Sequence, residues 1–258
     1  MEFGKRPKEF LIGRYIYYKE NLDRLPRVSY THRNNKTILT IRYRDKSTGE
    51  IKKRRISDKN SDWEKMRRIA DKRLFLKNEI SFLENAWNQD YGGSIKDVSA
   101  NYKIIKGDPS NLNMELWNSL ANGQCPREIK HPFIYKGIKM RSQFETSIAS
   151  VIDDMHIQFK YDTTLILNQG PVSPDFAMAF PEYDRCGFME YLGALGSFDY
   201  IRDNADKFEN YMNSGIYIGR DIIFLSGDKF YRPDFETIRD MIYAMIGEIA
   251  RKCVIRIN

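Results

Sequence analysis

From residue 131 onward the chain alternates helical periodicity with short apolar runs, and this alternation constrains the fold more than any other feature of its 258 residues. Residues 140–155 carry Phe144, Ile148, Val151, Ile152 and Met155 at helical spacing. Segment 157–168 reads as a strand or hairpin, 174–180 and 187–193 as strands, and 221–227 as a buried strand. Ser197 opens and Gly215 closes a predicted helix over 197–214, and a last amphipathic helix covers 234–252. Helix, strands, helix, strand, helix is an α/β layout with a mixed sheet. The Pro233-Asp234-Phe235 triplet sits where that last helix begins, so Asp234 reads as its N-cap.

The first 90 residues follow a different pattern. Residues 28–44 read as strand, turn (Arg33 to Lys36) and strand, and 50–56 adds a third strand to make a small meander. A long helix follows over roughly 61–89, with Met66, Ile69, Leu76, Ile80, Leu83 and Trp87 in a narrow stripe that Arg73 interrupts. Such a stripe suits packing on the meander or a coiled-coil contact between two copies. Residues 88–113 are rich in Asn, Gly, Asp and Ser, so the expected division is a basic module over 1–90, a linker over 91–130 and an α/β domain over 131–258. Tyr15-Ile16-Tyr17-Tyr18 is aromatic enough to stack on bases, but packing under the meander is the plainer reading.

Charge divides in the same place. Residues 1–100 hold 24 lysines and arginines against 14 acids, whereas the remaining 158 hold 18 against 21. A basic part joined to a mildly acidic one points to a polyanion partner, and Lys52, Lys53, Arg54 and Arg55 are the densest run. No 18-residue apolar window exists, so a membrane span is not expected. The start lacks the continuous apolar segment of a signal peptide, and three scattered cysteines form neither a disulfide framework nor a zinc cluster. A cytoplasmic protein is the expectation.

Three carboxylates stand out. Glu145 borders the buried stripe of its helix, at i−3, i−4 and i−7 from Ile148, Ala149 and Ile152. Asp175 follows Pro174 at a strand entry and shares a face with the small Ala177 and Ala179. Glu190 sits mid-strand between Phe188 and Leu192, where a carboxylate is costly to bury unless it is paired or metal-bound. Two strand carboxylates with a helical one can hold Mg²⁺ or Mn²⁺ through hard oxygen ligands, and such an ion can activate water against a phosphodiester.

This ordered set resembles the PD-(D/E)xK nuclease superfamily, the restriction-endonuclease-like fold. The local runs Arg141-Ser142-Gln143-Phe144-Glu145, Phe159-Lys160-Tyr161, Pro174-Asp175-Phe176 and Met189-Glu190-Tyr191-Leu192-Gly193 are similar to bacterial members that read RSxxE, DF and ExxG. The likeness covers about residues 131–227. It implies a mixed sheet flanked by helices, DNA as substrate, metal at Asp175 and Glu190, and Glu145 as a further ligand or orienting group. One departure is plain: Leu192 stands where the family carries a lysine. Lys207 and Tyr211 share a helical face, and Lys207 is the expected substitute. Arg141 and Lys160 would suit phosphate contacts at the rim of the cleft.

The expected function is therefore a metal-dependent DNA endonuclease, of the kind found in phage defence or mobile elements. Two alternatives are a non-catalytic DNA-binding or assembly protein on a decayed nuclease fold and a nuclease subunit that needs a partner protein; cutting both strands would favour a homodimer, for which the stripe of residues 66–87 is a candidate surface.

Overall fold

The computed structural model describes residues 5–33, 36–105, 111–125, 129–194, 197–228 and 230–257. The turn expected at Asn34 and Asn35 lies outside them. The protein is mixed α/β and divides into two compact units, one formed by Leu11–Lys103 with Arg256–Asn258, the other by Met1–Phe10 with Ile104–Ile255. No helix among the described residues is long and apolar enough to cross a membrane.

The first unit contains most of helix α1 (Lys8–Arg24), then the strands β1 (Arg27–Arg33), β2 (Lys36–Arg44) and β3 (Ile51–Ile56), which form the expected antiparallel meander. Helix α2 (Trp63–Asp90) follows, with the short α3 (Ile95–Ser99) after it. Alternation along the strands sends Val28, Leu39 and Ile56 to one face, where they pack with Ala70 of α2, and Met66 and Ile69 lie against the same cluster. Further along α2, Leu76, Ile80, Leu83 and Trp87 are buried. Tyr15 and Tyr18 of α1 are buried too, with the Tyr18 ring 6.3 Å from Phe75. Arg73, which breaks the stripe, donates to the carbonyls of Leu22 and Leu25 at 3.0 and 2.9 Å. It satisfies acceptors at the end of α1 that the helix itself leaves open. The stripe is thus covered within its own unit, which removes it as a surface for pairing two copies.

Segment 91–130 is not the unstructured linker expected. It holds α3, the short strand β4 (Tyr102–Ile104) and helix α4 (Met114–Ser119). Ser94 caps α3, and the Asn113 side chain accepts from the Leu116 amide at 2.9 Å to cap α4. Leu112 and Leu120, either side of α4, are buried with Phe188, Tyr211 and Ile222. Apolar residues spaced among the polar ones fold these turns onto a core.

The second unit continues with a hairpin of β5 (Phe133–Tyr135) and β6 (Ile138–Met140), helix α5 (Gln143–Asp154), β7 (Phe159–Tyr161), and a hairpin of β8 (Leu165–Leu167) and β9 (Gly170–Val172). Then come β10 (Phe176–Phe180), β11 (Arg185–Leu192), α6 (Phe198–Asn213), β12 (Ile222–Ser226), α7 (Phe235–Cys253) and β13 (Val254–Arg256). The central sheet has the order β12-β11-β10-β7; β11 is parallel to β12 and antiparallel to β10. Ala177, Cys186, Phe188 and Ile222 face the cluster that contains Tyr211 of α6. Helix α7 packs on β11 so closely that a Cβ at Gly187 would lie 2.9 Å from Met245 Cε. Ser197 caps α6, and Asp234 caps α7 by accepting from the Thr237 amide at 2.7 Å.

Candidate active site

Asp175 immediately precedes β10, and the register Phe176↔Met189 extended by one residue sets it opposite Glu190 of β11. The two carboxylates therefore meet at one end of the sheet. One Asp175 oxygen accepts from the Tyr191 amide at 2.7 Å, and the other has no hydrogen bond among the described residues. Glu190 Oε1 accepts from the Tyr211 hydroxyl at 2.7 Å and forms an ion pair with Lys207 Nζ. Lys207 also donates to the Ser173 carbonyl at 2.9 Å. Lys207 thus reaches the Glu190 carboxylate from α6. It does so because positions 207 and 211 fall one helical turn apart.

Burial raises the carboxyl of Asp175 well above its ordinary range, and the neighbouring Glu190 and Glu145 push it further. Burial raises Glu190 too, but Lys207 and Tyr211 pull it back. Tyr211 is itself raised strongly, first by burial and then by Glu190. Both acids line an open cleft of about 650 Å³. Its lining includes Glu145, Asp175, Glu190 and Lys207.

Glu145 also serves the start of its own helix. Ser142 and Glu145 form a capping box at the start of α5: Ser142 Oγ accepts from the Glu145 amide at 3.2 Å, and the Ser142 amide donates to Glu145 Oε2 at 2.8 Å. The buried Tyr161 hydroxyl donates to the same oxygen at 3.0 Å, while Oε1 has no hydrogen bond among the described residues. Among those residues no group of three His, Cys, Asp or Glu side chains is arranged as a metal cluster. Asp175 and Glu190 are the two acids that the register brings together, and Glu145 lines the same cleft. Mg²⁺ bound through one or two carboxylates, with water and phosphate completing its shell, needs no third protein ligand.

The expected phosphate contacts fare differently. Arg141 lines the cleft but is held by Asp162 in a two-pronged contact at 2.8 and 2.7 Å. Asp162 adopts a left-handed backbone (φ 57) that brings it there. Lys160 donates to the Trp117 and Leu120 carbonyls at 2.6 Å each and lies 4.0 Å from the Trp117 ring centroid. It closes the end of α4 and lines no part of the cleft, which corrects its expected role.

In the meander unit the run 52–55 divides by strand alternation. Lys52 pairs with Asp45, and Arg54 lies 3.8 Å from Asp62. Lys53 and Arg55 point to the opposite face, away from α2. There the register sets Arg27 across from Arg42 and Arg42 across from Lys53, with Arg55 across from Thr40. Like charges directly opposite one another destabilise a sheet. Arg27, Arg42, Lys53 and Arg55 are exposed and make no ion pair among the described residues.

A second recess of about 490 Å³ shares Arg141, Glu145, Tyr191 and Tyr200 with the first. Of its aromatic members Phe144 and Tyr191 lie within the quoted runs, whereas no local pattern singles out Phe133 or Tyr200. No family model matches the chain, and no curated protein or solved structure matches it either.

Proposed function

We propose that the protein is a metal-dependent phosphodiester hydrolase of the restriction-endonuclease-like kind, acting on DNA. The observation that carries this reading is the Asp175–Glu190 pair, set side by side by strand register, with Lys207 on Glu190 and an open cleft in front. Asp175 and Glu190 would hold Mg²⁺ or Mn²⁺, which when bound supplies a polarised phosphodiester and an activated water. Lys207 offsets part of the cost of charging Glu190 and would place its ammonium beside the ion. Tyr211 fixes the Glu190 rotamer from within the core. Glu145, oriented by Ser142 and Tyr161, adds negative charge at the wall. The outer face of the meander, with Arg27, Arg42, Lys53 and Arg55, would take the phosphate backbone.

Metal binding has a readout independent of cleavage. At neutral pH, Mn²⁺ at about 100 times its Kd should stabilise the fold by about 2.7 kcal/mol, a Tm rise of roughly 5–10 °C. Asp175→Asn and Glu190→Gln should each remove that rise. An undiminished shift in both variants would place the ion elsewhere.

Lys207→Ala should lower cleavage about 100-fold while leaving DNA binding in place, the loss expected of a group that assists the attacking water. Unchanged cleavage would deny Lys207 that role.

Replacing Arg42, Lys53 and Arg55 together by alanine should weaken DNA binding at low salt. The slope of log K against log salt should shrink by about one for each phosphate that is no longer neutralised. Because the change also relieves cross-strand repulsion, Tm should hold or rise. A DNA affinity that survives the triple change would remove the meander as anchor.

A further inference from the structure

The recess beside the carboxylate cleft has a chemistry of its own. Phe144 and Tyr191 pack at 4.5 Å between centroids, and the Arg232 guanidinium lies 5.9 Å from the Phe144 ring centre. Phe133 and Tyr200 complete the aromatic lining. Phe133 is 44% exposed, and Arg232 is exposed and makes no ion pair among the described residues. Phe144 is buried and Tyr191 half-buried, and the pair lines an open recess.

Two glycines keep the Tyr191 ring in place. A Cβ at Gly193 would lie 2.6 Å from its Cε1. A Cβ at Gly227 would lie 2.8 Å from its hydroxyl and 3.0 Å from the Tyr231 carbonyl. The ring thus occupies space that any other residue at 193 or 227 would contest. The Tyr191 amide, in turn, is the group that holds Asp175. Tyr191 and Glu190 are successive residues of β11, and the two recesses share a wall at Arg141, Glu145, Tyr191 and Tyr200.

We infer that this recess stacks an unpaired nucleobase adjacent to the phosphate held at the carboxylates, so that the substrate is single-stranded DNA or a single-stranded stretch within a duplex. Four aromatic side chains and a guanidinium with no ion pair among the described residues, beside the polar Ser142 and Gln143, match a base and its phosphate, since every base has a π-face and Arg stacks as well as pairs. A volume of about 490 Å³ accommodates one or two bases and cannot admit a helix. The inference rests on the reading of Asp175 and Glu190 as the cleavage centre for where the scissile phosphate lies, but binding in the recess can be measured without cleavage.

The test is fluorescence anisotropy in EDTA with a labelled single-stranded oligonucleotide and with the same sequence as a blunt duplex. Wild type is compared with Phe133→Ala and Arg232→Ala, both exposed positions whose change leaves the core intact. Wild type should prefer the single strand, and each variant should lose about tenfold in single-strand affinity with duplex binding unchanged. Equal affinity for both forms, or variants that bind the single strand as wild type does, would overturn the inference. If a metal- and Glu190-dependent cut in duplex DNA persisted beside that result, the hydrolase reading would stand and the stacking site alone would fall. Single-strand binding lost in both variants, with no cleavage under any metal, would keep the stacking site and remove the hydrolase.

Discussion

Asp221→Ala should lower stability by about 3–5 kcal/mol, a fall in Tm of roughly 10 °C, because it removes the carboxylate that pairs with a buried guanidinium. Arg185 and Asp221 pair at 2.7 Å with side chains only 2% and 0% exposed. Asp221 also accepts from the Tyr217 amide at 2.9 Å and from Arg220 Nε at 2.8 Å, and its carbonyl accepts from the Phe188 amide. One residue thus closes the turn after α6 and starts the parallel pairing of β12 with β11. That pairing sets α6, and with it Lys207 and Tyr211, over Glu190. Denaturant unfolding checks the cost; a loss under about 1 kcal/mol would mean that the ion pair is not what fixes this register.

Asp175→Asn should act in opposite directions on stability and on activity. The carboxyl of Asp175 has a raised folded-state pKa, so the fold favours its neutral form. Its contribution is fully present below the ordinary carboxylate pKa of about 4 and is lost as pH rises through the folded value. At neutral pH without metal, the charged side chain is therefore a liability, and the amide should raise Tm. The gain should vanish below about pH 4, where both side chains are neutral. Cleavage should fall by on the order of 10³-fold, since several kcal/mol of transition-state stabilisation depend on a correctly held ion. A stability gain at the expense of activity is the signature of a functional carboxylate. If Asp175→Asn lowered Tm at neutral pH, the charge would be structural.

Much of the second unit is legible in the sequence because its signals are local. Ser197, Gly215 and Asp234 mark helix ends in the sequence and cap them in the structure. Glu190 among apolar neighbours announces a strand with one costly position, and the structure pairs it with Lys207. Helix α1 escapes such a reading, because Tyr15-Ile16-Tyr17-Tyr18 has the aromatic and β-branched character of a strand. Its helical spacing shows only when Leu11, Ile12, Tyr15 and Tyr18 are buried together. Segment 91–130 misleads for another reason: its helices are five and six residues long, below the length at which periodicity can be seen, and depend on caps and on Leu112 and Leu120 reaching a distant core. The capping box at Ser142 and Glu145 is written in the sequence, but it coincides with a motif that draws the eye first. Arg141 and Lys160 take partners other than phosphate because those partners, Asp162 and the end of α4, are set by backbone turns that no local pattern encodes.

The most direct measurement is cleavage of supercoiled plasmid and of single-stranded DNA, in Mg²⁺ or Mn²⁺ and in EDTA, by wild type beside Glu190→Ala. Cutting that requires both the ion and Glu190, with the single strand the better substrate, is the predicted result. Cutting that persists in EDTA or in Glu190→Ala, or no cutting with any metal while DNA is still bound, would contradict the carboxylate pair as a hydrolytic centre.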